Sequence, residues 1–241
     1  MPAKDKKLLV PSNTRAVVLA GGKGTRLLPY TTLLPKPLVP VGEQPILELA
    51  LKLLHRHGFK EITICVGHLA ELIQAYFGDG KKWKIHLNYA IEDKPLSTIG
   101  PLAFVKDLGE NFLVMNGDIL TDINLAELFT AHEKSKADLT VATYRREVKI
   151  DYGVLRYDPK SRRIRSFSEK PRLPYDVSMG IYVLNRRCLD LVAPGKPMGF
   201  DELVLKLLER KRPVVAHPYS GRWLDIGRPD DYALAQEWVT K

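Results

Sequence analysis

The run Val17-Val18-Leu19-Ala20 empties into a loop that carries Gly21, Gly22 and Gly24, with Lys23, Thr25 and Arg26 among them. An apolar, β-branched run of this kind reads as a buried strand of a parallel sheet. Parallel strands need helical crossovers, and the chain supplies them. Helices are predicted over 45–58, 70–77 and 100–108, and strands over 15–20, 61–66, 84–91 and 112–115. Pro45 opens the first helix and Gly58 closes it, which is the usual asymmetry of helix ends. Alternation in this order predicts an α/β fold with a mostly parallel sheet and helices on both faces, where ligands sit beyond the carboxyl ends of the strands. The glycine loop and Asp118 fall at two of those ends.

The later half changes character. A helix over 124–135 is followed by strands over 138–144, 153–157, 164–168, 177–184, 214–217 and 223–225, with helices over 201–211 and 230–239. No linker rich in Gly, Pro or Ser separates the halves, so one domain is expected: an extension at 1–14, a first half at 15–135 that carries the glycine loop and a second half at 136–241 that forms a lobe upon it. With 45% apolar residues in 241, one such core is possible and two large ones are not.

The loop itself is suited to a polyphosphate. Glycines let backbone N–H groups approach phosphate oxygens. Lys23, Arg26 and Lys36 add three positive charges. A plain strand-to-helix turn takes about two to six residues, whereas this connection runs over 21–44, a length that functional loops require. The dinucleotide fingerprint fails because Leu27 stands where its third glycine would be. The P-loop pattern fails because Thr25, not lysine, follows Gly24.

Other classes are disfavoured. Two cysteines make no disulfide framework and have no metal-site spacing; Cys65 reads as a core residue and Cys188 as part of a helix. No secretory signal or membrane-length apolar run is seen, and a cytoplasmic protein without membrane contact is expected. The net charge of +9 invites nucleic acid, and ten Lys or Arg against four Asp or Glu lie between Arg145 and Arg172. Few aromatics accompany them, so a solvated basic face or attraction of anionic substrates is the expectation, not nucleic acid. The apolar residues of the last helix, Tyr232, Leu234 and Trp238, suit a core or a second copy of the chain equally.

Asp118, at the mouth of Phe112-Leu113-Val114-Met115-Asn116-Gly117, suits either a strand-end turn or an Mg²⁺ ligand. A second carboxylate, Asp225 in Trp223-Leu224-Asp225-Ile226-Gly227-Arg228-Pro229, shifts the balance to the metal, because two aspartates from distant strands are what a cation bridging a triphosphate requires. The ordered set Gly-Gly-x-Gly-Thr-Arg-Leu, Pro35-Lys36-Pro37, Asn116-Gly117-Asp118, Tyr152-Gly153-Val154, Glu169-Lys170-Pro171 and Trp-Leu-Asp-Ile-Gly resembles the sugar-phosphate nucleotidyltransferases, or nucleotide-sugar pyrophosphorylases, over nearly the whole chain.

That resemblance implies a Rossmann-like fold and a reaction in which a sugar-1-phosphate attacks the α-phosphorus of a nucleoside triphosphate. It implies that Leu19, Ala20, Gly21 and Glu92, with Ser97 and Thr98, lie against the base. Gly22, Lys23, Gly24, Thr25 and Arg26 would hold the β- and γ-phosphates, and Lys36 would reach the α-phosphoryl group. Asp118 and Asp225 would hold Mg²⁺; Gly153, Glu169, Lys170 and Ser178 would receive the sugar phosphate. Leu34-Pro35-Lys36-Pro37-Leu38-Val39-Pro40-Val41 is most similar to short bacterial guanylyltransferases acting on mannose- or heptose-1-phosphate, with uridylyl-, thymidylyl- and cytidylyltransferases as alternatives. Two departures stand out. Members often carry Pro-Leu-Gly-Thr-Ala-Gly where this chain has Pro95-Leu96-Ser97-Thr98-Ile99-Gly100, and often Asn where it has Ser178. A non-catalytic nucleotide-sugar sensor would be expected to lose the loop charges or aspartates, and a glycosyltransferase to carry Asp-x-Asp; neither is the case here.

Overall fold

The computed structural model describes residues 9–22 and 24–240. Lys23 and the first eight residues of the expected extension lie outside it. Strand β1 (Arg15–Leu19) is followed by the short β2 (Pro40–Val41) and β3 (Gln44–Pro45), helix α1 (Ile46–Arg56), β4 (Glu61–Val66), α2 (Ala70–Phe77) and β5 (His86–Ile91). Then come β6 (Asn111–Asn116), β7 (Ile119–Thr121), α3 (Leu125–Ser135), β8 (Leu139–Lys149), β9 (Val154–Tyr157), β10 (Ile164–Ser168) and β11 (Arg172–Asn185). The chain closes with α4 (Phe200–Glu209), β12 (Val214–Tyr219), β13 (Trp223–Asp225) and α5 (Pro229–Thr240).

Seven strands form one sheet in the order β12-β8-β11-β6-β1-β4-β5. All neighbours are parallel except at β11, which runs antiparallel to both β6 and β8. Alternation divides β1 between two cores: Ala16 and Val18 pack with Leu47, Leu51 and Leu54 of α1, while Val17 packs with Cys65, Leu203 and Leu207 on the other face. Helix α1 forms because its apolar residues recur at helical spacing and bury one side. Asn124 caps α3, its side-chain oxygen accepting from the N–H groups of Ala126 and Glu127 at 3.1 and 3.3 Å.

The structure departs from the local expectations at several places. The helix expected over 100–108 is a single 3₁₀ turn, Gly100–Phe104, after which Val105 is extended. Met198 O takes the otherwise unpaired N–H groups of Ile99 and Gly100 at 2.9 and 3.2 Å, and the turn ends on the tight bond from Val105 N to Leu102 O at 3.2 Å, where β-branched Val105 goes over to extended backbone. Cys188 lies in a 3₁₀ helix, Arg186–Leu191, and is buried. Strand β7 is unanticipated; it follows Asp118 directly and pairs antiparallel with β13. Strands β8 and β11 run on well past the expected 138–144 and 177–184 as a charged arm, held by cross-strand pairs such as Arg145–Asp176.

A polar knot sits where the two halves meet. His132 is 1% exposed, with Nδ1 2.8 Å from Thr140 Oγ1 and Nε2 3.2 Å from Asn111 Oδ1. Burial drives its pKa down from the ordinary 6.5 to about 4, against a smaller opposing pull from Asp138. Between those values the unfolded chain binds the proton and the folded chain does not, so stability falls as pH drops from 6.5 toward 4. The expected loss is roughly 2–3 kcal/mol. Urea midpoints measured across this range should fall steeply for the wild type, and the His132→Gln variant should show a flatter slope. The remaining slope then comes from His217, whose burial also lowers its pKa, and, near pH 4.5, from Glu48 and Glu61 with lowered pKa values, while the raised pKa of Glu92 acts in the opposite sense.

Candidate active site

The carboxyl ends of β1 and β6 adjoin, with Gly117 N donating to Leu19 O at 2.9 Å. Above them opens a cleft of about 390 Å³, whose lining includes Leu19, Ala20, Gly21, Gly22, Gly24, Thr25, Arg26, Lys36, Glu92, Ser97, Thr98, Asp118 and Gly227. Every nucleotide-binding residue expected from the sequence lies on that wall except Lys23, which falls outside the described residues.

One end is lined by Glu92 and the segment 95–98. Glu92, just beyond β5, accepts the Leu96 N–H at 3.0 Å. Burial raises its carboxyl pKa above the ordinary range, a shift the Leu96 N–H partly opposes. Gly21 faces it so closely that an added Cβ would stand 2.7 Å from Glu92 Oε1. Ser97 holds a φ of +63°, the left-handed region that glycine occupies freely and serine at a cost. The Gly that relatives of the resembled class often carry here is the residue such a backbone favours.

The other end gathers charge. Three consecutive 3₁₀ turns, Thr25–Leu27, Tyr30–Thr32 and Lys36–Leu38, fold the long loop back on itself. Thr31 Oγ1 donates to Gly24 O at 2.9 Å. Gly24 has a φ of +66°, and a Cβ on it would meet Lys36 Cβ at 2.8 Å, so only glycine lets the loop close over that lysine. The Lys36 ammonium, 8% exposed as a residue, is paired with the Asp118 carboxylate.

Pairing of β7 with β13 then brings Asp225 beside Asp118: Asp225 lies opposite Ile119, and Ile226 N donates to Asp118 O at 3.0 Å. Around Gly227 the groups converge. A Cβ built there would stand 2.6 Å from Lys36 Nζ, 2.8 Å from Arg26 Nη2 and 2.9 Å from Asp225 Oδ1. Asp225 itself is anchored through its N–H to buried Asp231, 3.2 Å away, which also accepts from Arg146 Nη2 at 3.0 Å. Lys36 takes one oxygen of Asp118 and Gly227 N–H takes one of Asp225, leaving each carboxylate a second oxygen. Among the described residues no group of three or more His, Cys, Asp or Glu gathers for a metal ion. Two carboxylates suit a hard cation that completes its shell with water and phosphate oxygens.

The expected acceptor residues divide. Ser178 sits where β11 departs from regular pairing with β8, its hydroxyl 3.2 Å from the Tyr182 hydroxyl and accepting Gly180 N–H at 3.3 Å. Gly180 abuts Asn116, two residues before Asp118. Gly153, Glu169 and Lys170 meet one another at the base of the β9–β10 hairpin: a Cβ on Gly153 would lie 3.2 Å from Glu169 Oε2, and Lys170 N donates to Tyr152 O at 3.3 Å. All three are exposed and none of the four lines the cleft. Sequence reasoning overlooked other lining residues, among them Pro37, Cys65, Pro95, Leu96, Pro101, Asn116, Gly117 and Gly227. Gly117 and Gly227 stood inside quoted motifs; Cys65 carried no signal beyond its apolar run.

A glycine-rich loop at the carboxyl end of β1 thus faces Asp118, just beyond β6, and Asp225, at the end of β13. The chain belongs to the nucleotidyl transferase family, whose model matches residues 15–241. It is 32% identical over 238 residues to a UTP–glucose-1-phosphate uridylyltransferase of Synechocystis sp., covering 90% of this chain and 61% of that protein. It is 33% identical over 230 residues to the mannose-1-phosphate guanylyltransferase catalytic subunit beta of Drosophila melanogaster, covering 92% and 62%. The chain thus spans about 62% of the length of the curated relatives it matches. The crystal structure of HddC from Yersinia pseudotuberculosis complexed with GMP-PN shares the fold, with a TM-score of 0.71, 24% identity and coverage of 94% and 99%. Among the described residues, no helix is long and apolar enough to cross a membrane.

Proposed function

We propose that this protein is a sugar-1-phosphate nucleotidyltransferase that joins a nucleoside triphosphate to a sugar-1-phosphate and releases pyrophosphate. The observation that carries the reading is the convergence of Lys36, Arg26, Asp118 and Asp225 around Gly227, at one end of a cleft whose other end is lined by Glu92 and Ser97. A phosphate monoester dianion is already a nucleophile, so the protein's task is alignment and charge. The oxygen of the sugar phosphate forms a bond to the α-phosphorus as the bond to the β-phosphate oxygen breaks. Lys36 would hold the α-phosphoryl oxygens. Arg26 and the loop amides take the charge that develops on pyrophosphate. Asp118 and Asp225 would hold Mg²⁺, which when bound supplies further charge at the α-phosphate. Residues 15–135 would bind nucleotide and 136–241 the acceptor, with Gly153, Glu169, Lys170 and Ser178 as its contacts.

For the base we favour guanine. The Glu92 carboxylate is an acceptor, and guanine offers two adjacent N–H donors on one edge where uracil and thymine offer one. Mannose- or heptose-type sugar-1-phosphates are the proposed acceptors. Uridylyl transfer is the second reading, supported by the similarity to the Synechocystis relative. The test is pyrophosphate release with Mg²⁺ across GTP, UTP, dTTP, CTP and ATP against a panel of sugar-1-phosphates. One clearly productive pair establishes the reaction and both substrates. Silence with retained nucleotide-sugar binding would turn the reading to a sensor.

Arg26 gives a sharper check. Lysine in its place replaces a fork of donors by a point charge. Arg26→Lys is expected to raise the triphosphate KM about tenfold, or about 1.4 kcal/mol. An unchanged affinity would reduce Arg26 to a strut of the loop.

A further inference from the structure

We infer that the loop over 193–199, from the acceptor half, is a strap that sets the base end of the cleft, with Met198 as its positioning residue. The inference rests on the nucleotidyltransferase reading above. Residues 95–98 line the cleft, and the strap grips this segment from behind. Met198 N donates to Leu96 O at 3.0 Å, and Met198 O accepts from Ile99 N at 2.9 Å and Gly100 N at 3.2 Å. Both polar groups of one residue are therefore committed to the base segment. The fit leaves no slack: a Cβ on Gly100 would stand 2.9 Å from Lys196 O and 3.0 Å from Leu96 Cβ.

On its other side the same segment is held by Glu92, through the Leu96 N–H at 3.0 Å. Between these two clamps lies Ser97 with its φ of +63°. Such a conformation comes at a cost to a non-glycine residue, and the two clamps hold the segment in it. The Met198 side chain seats the strap that makes the second clamp. It is 3% exposed and packs in one cluster with Ile99 and Leu102 from the base segment and Leu203 and Leu207 from α4. The acceptor half thus fixes the shape of the surface that reads the base. Specificity for the base then depends on a residue that does not line the cleft.

The test compares Met198→Ala, Met198→Leu and, as a control in the same core, Leu207→Ala. A misplacement of about an ångström in a binding surface is costly far beyond its size. Met198→Ala is expected to raise the nucleotide KM about tenfold and to narrow the kcat/KM ratio between the best and second-best nucleotide about as much, with the sugar-phosphate KM within about twofold. Met198→Leu, of similar volume, should restore both values. Leu207→Ala should lower the melting temperature while keeping the base ratio. Equal shifts in both KM values, or an unchanged base ratio in a folded Met198→Ala variant, overturn the strap. Nucleotide affinities from calorimetry are read alongside. A wild type that binds nucleotide but turns over no pair sinks the proposed reaction, and the strap is then judged on the affinity ratios alone. A wild type that binds no nucleotide sinks both.

Discussion

Replacing Asp118 by Asn, or Lys36 by Ala, is expected to lower turnover by at least roughly 10²–10³. The two side chains form one partly buried ion pair at the charged end of the cleft, so each variant removes one charge and leaves the other without its partner. The variants should differ in stability. In Asp118→Asn the new side chain would still offer an amide oxygen to the Lys36 ammonium, whereas Lys36→Ala strands a carboxylate. Breaking a buried pair costs up to about 3–5 kcal/mol, but the Asp118 side chain is 22% exposed and borders the cleft, so the cost should fall well below that. Melting temperatures should therefore rank wild type, Asp118→Asn, then Lys36→Ala, while turnover collapses in both. Pyrophosphate release, measured well below the lowest melting temperature, separates chemistry from folding. Near-normal release from either folded variant would remove that residue from the reaction.

The legible parts of this protein were those in which one short segment carries both a fold signal and a chemical one. The run into Gly21 announces a parallel strand by its apolar continuity and a phosphate loop by its glycines and charges, and both lie at the cleft. Asp118 and Asp225 were nameable for the same reason, since each closes a recognisable strand. Their meeting depends on β7, three residues long, in which no alternation has room to show. Gly227 looked like turn chemistry after a strand; only the fold reveals that the missing side chain is what lets Lys36, Arg26 and Asp225 converge. The strap grips the base segment through Met198 backbone groups, which any residue but proline provides at N–H, and the buried side chain that seats it reads as one more apolar residue, so the strap leaves no trace in the chain. In the acceptor half the strands were visible, but their extent was not. The outer parts of β8 and β11 are exposed and charged, and they are held by cross-strand pairing between segments far apart in sequence.

Gly227→Ala is expected to be the most damaging single methyl group that can be added to this protein without unfolding it. The new carbon would stand 2.6 Å from Lys36 Nζ, 2.8 Å from Arg26 Nη2 and 2.9 Å from Asp225 Oδ1, all closer than such contacts allow. Two of these atoms end long flexible side chains that can swing aside, and Gly227 is not among the glycines with positive φ. Folding should therefore survive, with a melting temperature within a few degrees of the wild type. Swinging aside is what the chemistry cannot tolerate, because the ammonium and guanidinium must meet phosphate oxygens at hydrogen-bond distance as the α-phosphorus is attacked. Positioning errors of this size typically cost roughly 10²-fold, and loss of a preorganised charge costs roughly 10²–10³. A fall in kcat of roughly 10² or more is the expected result. Combined with Lys36→Ala the loss should be far less than additive, because the alanine at 227 acts largely by displacing the lysine that the second change deletes. Full activity in the folded Gly227→Ala variant would mean that Lys36 and Arg26 work from positions other than those they occupy around this glycine. The convergence on which the proposed mechanism stands would then be a resting arrangement only.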